Sequence, residues 1–334
     1  MKRPFLTVLT TPIPGNRRRL YHRARRLARR FLQPDAPPPA VSRSPGHSAV
    51  VRSTVEGMRA IGADFNHDPR TFKQLARIVY ATTNEALRQA ADLKRAGRVD
   101  FLVAGPNNAL FPEEADSILL DPAIDLVIVP SGWVRELFWA SARQLIEKTR
   151  VCPSGVDTDA WKPSGSDRES QCIVYWKSGD EKFVEEIETL LESRVLEPVR
   201  IRYGHYKTPE YKQLLDKSVL GVFVSSFETQ GIALAEAWSM DVPTIVWDPR
   251  DKVSHRGHSF TAGSSAPWIS DSTGVTWASM ADFSGTLDYA IRHRQAFRPR
   301  DWVLEHMTDA SCAAFLVSTI KHEATRKLGL FSSS

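Results

Sequence analysis

One short stretch constrains the fold of this chain more than any other: Ser226-Phe227-Glu228-Thr229-Gln230-Gly231-Ile232-Ala233-Leu234-Ala235-Glu236-Ala237. An apolar run, Val219 to Ser225, leads into it. A helix-like segment, Gly231 to Met240, leads out, and a second apolar run, Val242 to Trp247, follows. Strand, loop, helix, strand is the unit of a parallel sheet, because two parallel strands can be joined only by a long crossover, usually a helix. The loop then falls at the carboxyl end of its strand, where open α/β sheets receive ligands. Backbone N–H groups at the helix start, around Gln230, Gly231 and Ile232, suit a phosphate. Glu228 and Glu236 stand eight positions apart. Glu236 lies about two turns further along and can face a ribose, whose paired hydroxyls donate to a carboxylate. Two glutamates at this spacing also occur on ordinary solvated helices; the flanking strands and the Gly231 turn favour the ligand reading.

The chain has 334 residues, enough for two ordinary domains. Hydrophobic residues make up 42% and charged residues 25%, the balance of a globular protein. No apolar run is long enough to span a bilayer, and the basic N-terminus lacks the apolar core of a secretory signal. Cys152, Cys172 and Cys312 are scattered, with no C-x-x-C pair, which reads as buried free thiols in a reducing compartment. Ten cations and no acid fall in residues 1–34, so with a formal net charge of +5 the remainder is net negative. That body argues against a general nucleic-acid binder.

Along the chain, Phe5 to Thr10 reads as a first strand and 16–32 as a cationic helix with a small apolar face. Residues 35–45 are Pro- and Ser-rich, an irregular linker. A helix follows Ser44-Pro45-Gly46-His47-Ser48 to about Gly62. Helical patterns at 70–78 and 84–96 flank the apolar segment Ile78 to Ala81. Phe101 to Gly105 and Asp125 to Pro130 read as buried parallel strands, and Val134 to Glu147 as a helix. Val151 to Asp157 reads as a turn-rich crossing into a second α/β series. Its expected strands are 172–176, 199–203, 219–225, 242–247 and 275–277; its expected helices are 180–193, 209–217, 231–240 and 282–294, with a tail helix at 309–327. The expected domains are a first strand, basic helix and linker (1–43), an N-terminal Rossmann-like domain (44–150), a C-terminal Rossmann-like domain (151–308) and a C-terminal helix and tail (309–334).

Four segments, in order, resemble the retaining GT-B glycosyltransferases of the broad "group one" type. They are the Gly46 loop opening a helix; Val151-Cys-Pro-Ser-Gly-Val-Asp-Thr-Asp-Ala-Trp-Lys-Pro163; the strand 172–176 followed by Lys177 and Lys182; and the Glu228…Glu236 pair with Gly231. The resemblance covers most of 44–295. It implies an α/β fold of GT-B type: two Rossmann-like domains facing a cleft, with the C-terminal helix crossing back to the first. It implies transfer of a sugar from a UDP- or GDP-linked donor to a glycan or glycolipid acceptor, of cell-envelope polysaccharide or lipopolysaccharide type. Glu228 then contacts the sugar and Glu236 the ribose, while Lys177 and Lys182 neutralise the diphosphate. Lysine at 177 replaces the family's usual arginine, supplying charge without the bidentate fork. Cleavage leaves positive charge on the sugar and negative charge on the leaving group, and fixed cations with helix amides stabilise the second. No protein nucleophile, metal or cofactor is expected.

The remaining candidates follow from position. Gly46 can bring backbone amides near the donor phosphates. Tyr206, in Gly204-His205-Tyr206 after a second-domain strand, is placed with the donor. His47 and Asn107 are placed with the acceptor, although Gly105-Pro106-Asn107-Asn108 reads equally as a plain turn. Asp157-Thr158-Asp159 matches an Asp-x-Asp metal signature; a turn role is the preferred reading. The 16–32 helix reads as docking on an anionic membrane surface, placing the protein in the cytoplasm at the inner membrane face; an acidic-polymer site or a solvated arm are the alternatives. Another GT-B enzyme, such as a nucleotide-sugar epimerase, or a non-catalytic GT-B module binding glycans or anionic surfaces, are the competing functions.

Overall fold

The computed structural model describes residues 3–14, 45–106, 109–165 and 167–329. The 16–32 helix and Asn107 lie outside the described residues. The chain forms two compact units, one comprising residues 1–128, 138–150 and 317–334 and the other 129–137 and 151–316.

The first unit is built on a six-stranded sheet in the order β2-β1-β3-β4-β5-β6. Its strands are β1 (Leu6–Leu9), β2 (Phe65–His67), β3 (Ile78–Ala81), β4 (Phe101–Ala104), β5 (Leu126–Val129) and β6 (Thr149–Val151). β1 pairs in parallel with β2 and β3, and β4 with β3 and β5. β1, β3, β4 and β5 are buried at every position, as the unbroken apolar runs of a two-sided parallel sheet require. Helices α1 (Pro45–Ala60) and α2 (Asn84–Arg95) accompany it, while α3 (Gly132–Ser141) belongs to the second unit up to Leu137 and to the first from Phe138. Thr83 caps α2, accepting the Ala86 N–H.

Two expectations fail here. The 70–78 pattern is not a helix: a single 3-10 turn at Phe72–Gln74 ends at Leu75 in extended conformation, because the chain must enter β3. Its exit is fixed non-locally, with the Ala76 N–H donating to Thr7 Oγ1 at 2.8 Å. The 134–147 segment is split: α3 stops at Ser141, Ala142 is extended, and a short 3-10 turn, Arg143–Leu145, leads into β6. β6 itself was not expected: it fills the gap after Glu147 and reaches the segment read as a turn-rich crossing only at Val151.

The second unit holds a five-stranded sheet in the order β13-β10-β9-β7-β8, parallel throughout. Its elements are β7 (Gln171–Trp176), α4 (Glu181–Glu192), β8 (Glu197–Arg202), α5 (Thr208–Lys217), β9 (Leu220–Val224), α6 (Ile232–Ser239), β10 (Thr244–Trp247), the ribbon β11 (Lys252–His255) and β12 (His258–Thr261), β13 (Gly274–Trp277), α7 (Met280–Arg292) and α8 (Pro299–His306). Alternation along the strands sorts the core into two layers. Ile173, Tyr175 and Phe223 join Leu234 and Trp238 of α6 on one face. Cys172, Val174, Trp176, Val222 and Val224 join α4 and α7 on the other. The ribbon and α8 are absent from the sequence reading. α8 opens on Pro299, whose missing N–H costs nothing in a first turn, and packs Trp302 edge-on against Trp238 at 5.7 Å.

The final helix, α9 (Asp309–Leu328), belongs to the second unit up to Leu316 and to the first from Val317. Within the first unit it is tied by charge. Glu323, buried, receives Arg150 at 2.7 Å and Arg326 at 2.9 Å. Asp125, with its side chain 1% exposed, faces Lys327 at 2.6 Å and is also paired with Lys94. Among the described residues no helix is long and apolar enough to cross a membrane.

Candidate functional site

Register builds the site. Trp176 lies opposite Arg202 and Val224, and Val224 opposite Trp247. The residues that follow, Lys177, Tyr203, Ser225 and Asp248, therefore emerge side by side on the carboxyl rim of the sheet. The strand order places later strands on one side of β7 and β8 on the other, so the chain's direction of growth reverses at β7. Ligands of open α/β sheets bind at such a switch point. Here the two adjoining loops are stitched together. The N–H groups of Lys177 and Ser178 donate to Val224 O at 2.9 and 3.1 Å, and the Ser226 N–H donates to Ser178 Oγ at 3.1 Å.

Glu228 stands in this loop. Its Oε1 accepts from Lys177 Nζ at 2.7 Å and from Ser225 Oγ at 3.0 Å. Lys177 and Glu228 side chains are 27% and 20% exposed, so the pair is shielded but reachable. The Lys177 ammonium also sits 5.0 Å from the centre of the Tyr203 ring, a cation–π contact. The arrangement presents an acceptor-only carboxylate beside a point cation at the mouth of the sheet.

Gly231 turns the chain from this loop into α6. Its φ of +76° is left-handed, a conformation a Cβ penalises, and a Cβ would stand 3.3 Å from Leu234 Cδ1. α6 is apolar on almost all sides, as a helix packed within a core must be. Its far end is closed by two arginines. Arg300 donates to Ser239 O at 2.6 Å and Arg168 to Met240 O at 2.6 Å and Asp241 O at 2.8 Å, satisfying the last carbonyls and complementing the helix dipole. Burial pulls the Arg168 pKa down, against the opposing pull of Asp241. Glu236, half-buried, is the one ionisable residue of α6. A tyrosine cluster stands within electrostatic reach of both glutamates: Tyr175 and Tyr206 share a hydroxyl contact at 3.2 Å, and the Tyr206 and Tyr211 rings lie 5.3 Å apart. Burial pushes the Tyr206 hydroxyl up to about 12; the Tyr175 hydrogen bond opposes the rise, and the charges of both Glu236 and Glu228 add to it. Tyr211 is raised further, first by burial and then by Glu236. The electrostatic reach of both carboxylates thus converges on Tyr206.

Lys182 is exposed in the first turn of α4 and takes no part in the Lys177–Glu228–Ser225 contacts. Gln230 is buried, its amide accepting the Ser154 N–H at 3.1 Å and donating to Ser154 O at 3.3 Å, so it holds a turn rather than facing solvent. Ile232 opens α6 half-buried. In the first unit, a Cβ on Gly46 would meet nothing within 4 Å, and His47 is buried in the first turn of α1. Asp157 Oδ1 accepts the N–H groups of Asp159 (3.2 Å) and Ala160 (2.9 Å), the turn role preferred over an Asp-x-Asp metal site.

Ser225, Ser178 and Tyr203 escaped the sequence reading. The same register argument that sets Lys177 after β7 finds Tyr203 after β8 and Ser225 after β9, once strand ends are known.

No family model matches the chain, and no curated protein matches its sequence. Among solved structures it is similar to the lipopolysaccharide outer core galactosyltransferase WaaB in its apo form, at 12% identity over 95% of this chain and 99% of that one, with a TM-score of 0.54. It is similar to the N-terminal domain of a Candida albicans trehalose-6-phosphate phosphatase, at 11% identity, 95% and 96% coverage and a TM-score of 0.52. Sucrose-phosphate synthase from Thermosynechococcus elongatus gives 12% identity, 95% and 98% coverage and a TM-score of 0.50. At these identities the likeness establishes the fold: two Rossmann-like α/β units of GT-B type.

Proposed function

We propose that this protein is a retaining glycosyltransferase that moves a sugar from a UDP- or GDP-linked donor to a glycan or glycolipid acceptor of cell-envelope type. The observation that carries the reading is the Lys177–Glu228 pair at 2.7 Å on the carboxyl rim, where the sheet order reverses. A donor needs a cation for its diphosphate and a carboxylate for its sugar hydroxyls, and the two stand together there. The GT-B likeness to WaaB, a lipopolysaccharide galactosyltransferase by name, supports the acceptor class.

In the proposed reaction the bond between the sugar's anomeric carbon and the phosphate oxygen breaks. The acceptor hydroxyl oxygen bonds that carbon from the same face, and its proton passes to the departing phosphate. Lys177 and Lys182 offset charge on the diphosphate, aided by the N–H groups opening α6 around Gly231. Glu228 accepts from a sugar hydroxyl and Glu236 from the ribose, with Tyr206 beside them. Gly46 is assigned to the donor, and His47 and Asn107 to the acceptor. Fixed cations do the work that a metal does in other transferases, so no metal or cofactor is invoked. Residues 16–32 are assigned to an anionic membrane surface at the cytoplasmic face.

The test is a thermal-shift screen of the purified protein against UDP, GDP, ADP, CDP and their sugar conjugates, with and without EDTA. A donor at about a hundred times its dissociation constant adds roughly 2.7 kcal/mol. A rise in Tm from one diphosphate family that survives EDTA is expected. No rise with any nucleotide overturns the proposal.

A further inference from the structure

Glu228 lies in neither helix nor strand, so nothing regular fixes its backbone. Both of its main-chain groups are nonetheless held by distant residues. Its N–H donates to Ser264 O at 3.0 Å, and its carbonyl accepts the indole Nε1–H of Trp133 at 3.0 Å. Trp133 sits in the segment 129–137, which belongs to the second unit. Its ring is stacked on Phe260 of β12, with centroids 6.4 Å apart and planes 10° from parallel, and meets Phe227 edge-on at 6.1 Å. Phe227 in turn meets Phe260 and His255 of the ribbon, each at 5.7 Å. The indole is therefore fixed in plane and direction before it donates. Room for it is made by Gly263, where a Cβ would lie 2.4 Å from Trp133 Cβ. Gly263 immediately precedes Ser264, so the residue that admits the indole adjoins the one that takes the Glu228 N–H.

We infer that Trp133, seated between the β11–β12 ribbon and Gly263, is a positioning residue for Glu228: it sets where the carboxylate stands by gripping the peptide that carries it. The carboxylate itself is aimed by Ser225 and Lys177, but both act on its far end. Without the indole, one of the two long-range holds on the backbone is lost and the loop gains freedom. The kinetic half of this inference rests on the glycosyl-transfer reading.

Two variants separate position from stability. Trp133→Phe keeps a ring against Phe260 and removes only the N–H donor; Gly263→Ala leaves the donor but forces the ring from its seat. Amide hydrogen exchange is followed by mass spectrometry on the full chain, comparing peptides over 226–230 with those over β9. Exchange in 226–230 is expected to quicken about 5-fold or more in W133F, the factor one ordinary hydrogen bond exerts on a local equilibrium, with β9 unchanged. In turnover, kcat falls by a similar factor while the KM for the donor sugar and binding of the free nucleoside diphosphate stay within about 2-fold, the mark of a loss confined to the transition state. Unchanged exchange at 226–230, or equal quickening across β9, overturns the inference. So does a rise in KM with kcat intact. The exchange result stands whether or not the protein transfers sugars, so a failure of the functional reading is distinguishable: it appears as wild-type protein that neither binds nucleotide nor turns over.

Discussion

Lys177 and Glu228 neutralise each other in the absence of ligand, and this shapes what their substitution does. On the proposed reading, a diphosphate competes with Glu228 for the same ammonium. Removing the carboxylate in Glu228→Ala therefore leaves the lysine free, and free nucleoside diphosphate is expected to bind that variant as tightly as wild type or tighter, while sugar transfer is lost. Lys177→Ala should weaken nucleotide binding about ten-fold or more, the worth of one charge-assisted hydrogen bond. Isothermal titration with the nucleotide found in the thermal screen checks both. Equal weakening in the two variants would show that the pair acts as a unit rather than as rivals. Both partners were legible as residues, because a glutamate after one apolar run and a lysine after another mark the ends of parallel strands. Tyr203 and Ser225 were not, since their role depends on which strands lie in register. Trp133 was beyond reach: its partner is 95 positions away, and no local pattern encodes that separation.

Among the elements, α6 depends on one residue for its entry. Gly231→Ala places a Cβ on a left-handed backbone, costing about 1–2 kcal/mol. The expected outcome is a lower Tm together with a loss of nucleotide affinity, because the same turn aims both the Glu228 loop and the helix N–H groups. Thermal unfolding with and without nucleotide checks it; a lower Tm with unaltered affinity would separate the turn from the site. Strands β7 and β9 were readable as unbroken apolar runs. The β11–β12 ribbon was not, because it contributes only Val253 and Phe260 to any apolar pattern. Its two-residue turn, Arg256-Gly257, has positive φ at both positions (49° and 85°), the backbone that suits a tight hairpin, but arginine is not the residue that usually announces it. The 70–78 pattern failed for the opposite reason: a helical periodicity was present, and the need to enter β3 overrode it.

For the whole molecule, the buried thiols of Cys172 and Cys312 and a buried tyrosine cluster shape the response to alkali. Burial pushes Cys172 and Cys312 up to about 12 and holds Tyr175 and Tyr211 well above their ordinary range. In the unfolded chain these groups lose protons from about pH 9 for the thiols and 10 for the tyrosines. Between those values and the folded pKa the native state binds more protons than the unfolded one, so stability falls as pH rises, by about 1.4 kcal/mol per pH unit for each such group. Tm should hold up to about pH 9 and drop steeply above it. Because all three cysteines are buried, a thiol reagent at pH 8 should label none in the native protein and all in denaturant. Labelling of native protein at that pH would contradict the described packing.

The last helix changes hands at Val317, and this bears on how the protein is made. The unit that holds the earlier strands also holds α9 from Val317 onward, so it cannot be completed until those residues have been made. Until then Arg150 lacks Glu323 and Asp125 lacks Lys327. Domains usually mature in order of synthesis. Here the second unit has all its parts by Leu316 while the first still waits for residues from Val317 onward, so a deletion within 317–329 takes structure from the first unit and leaves the second with all its elements.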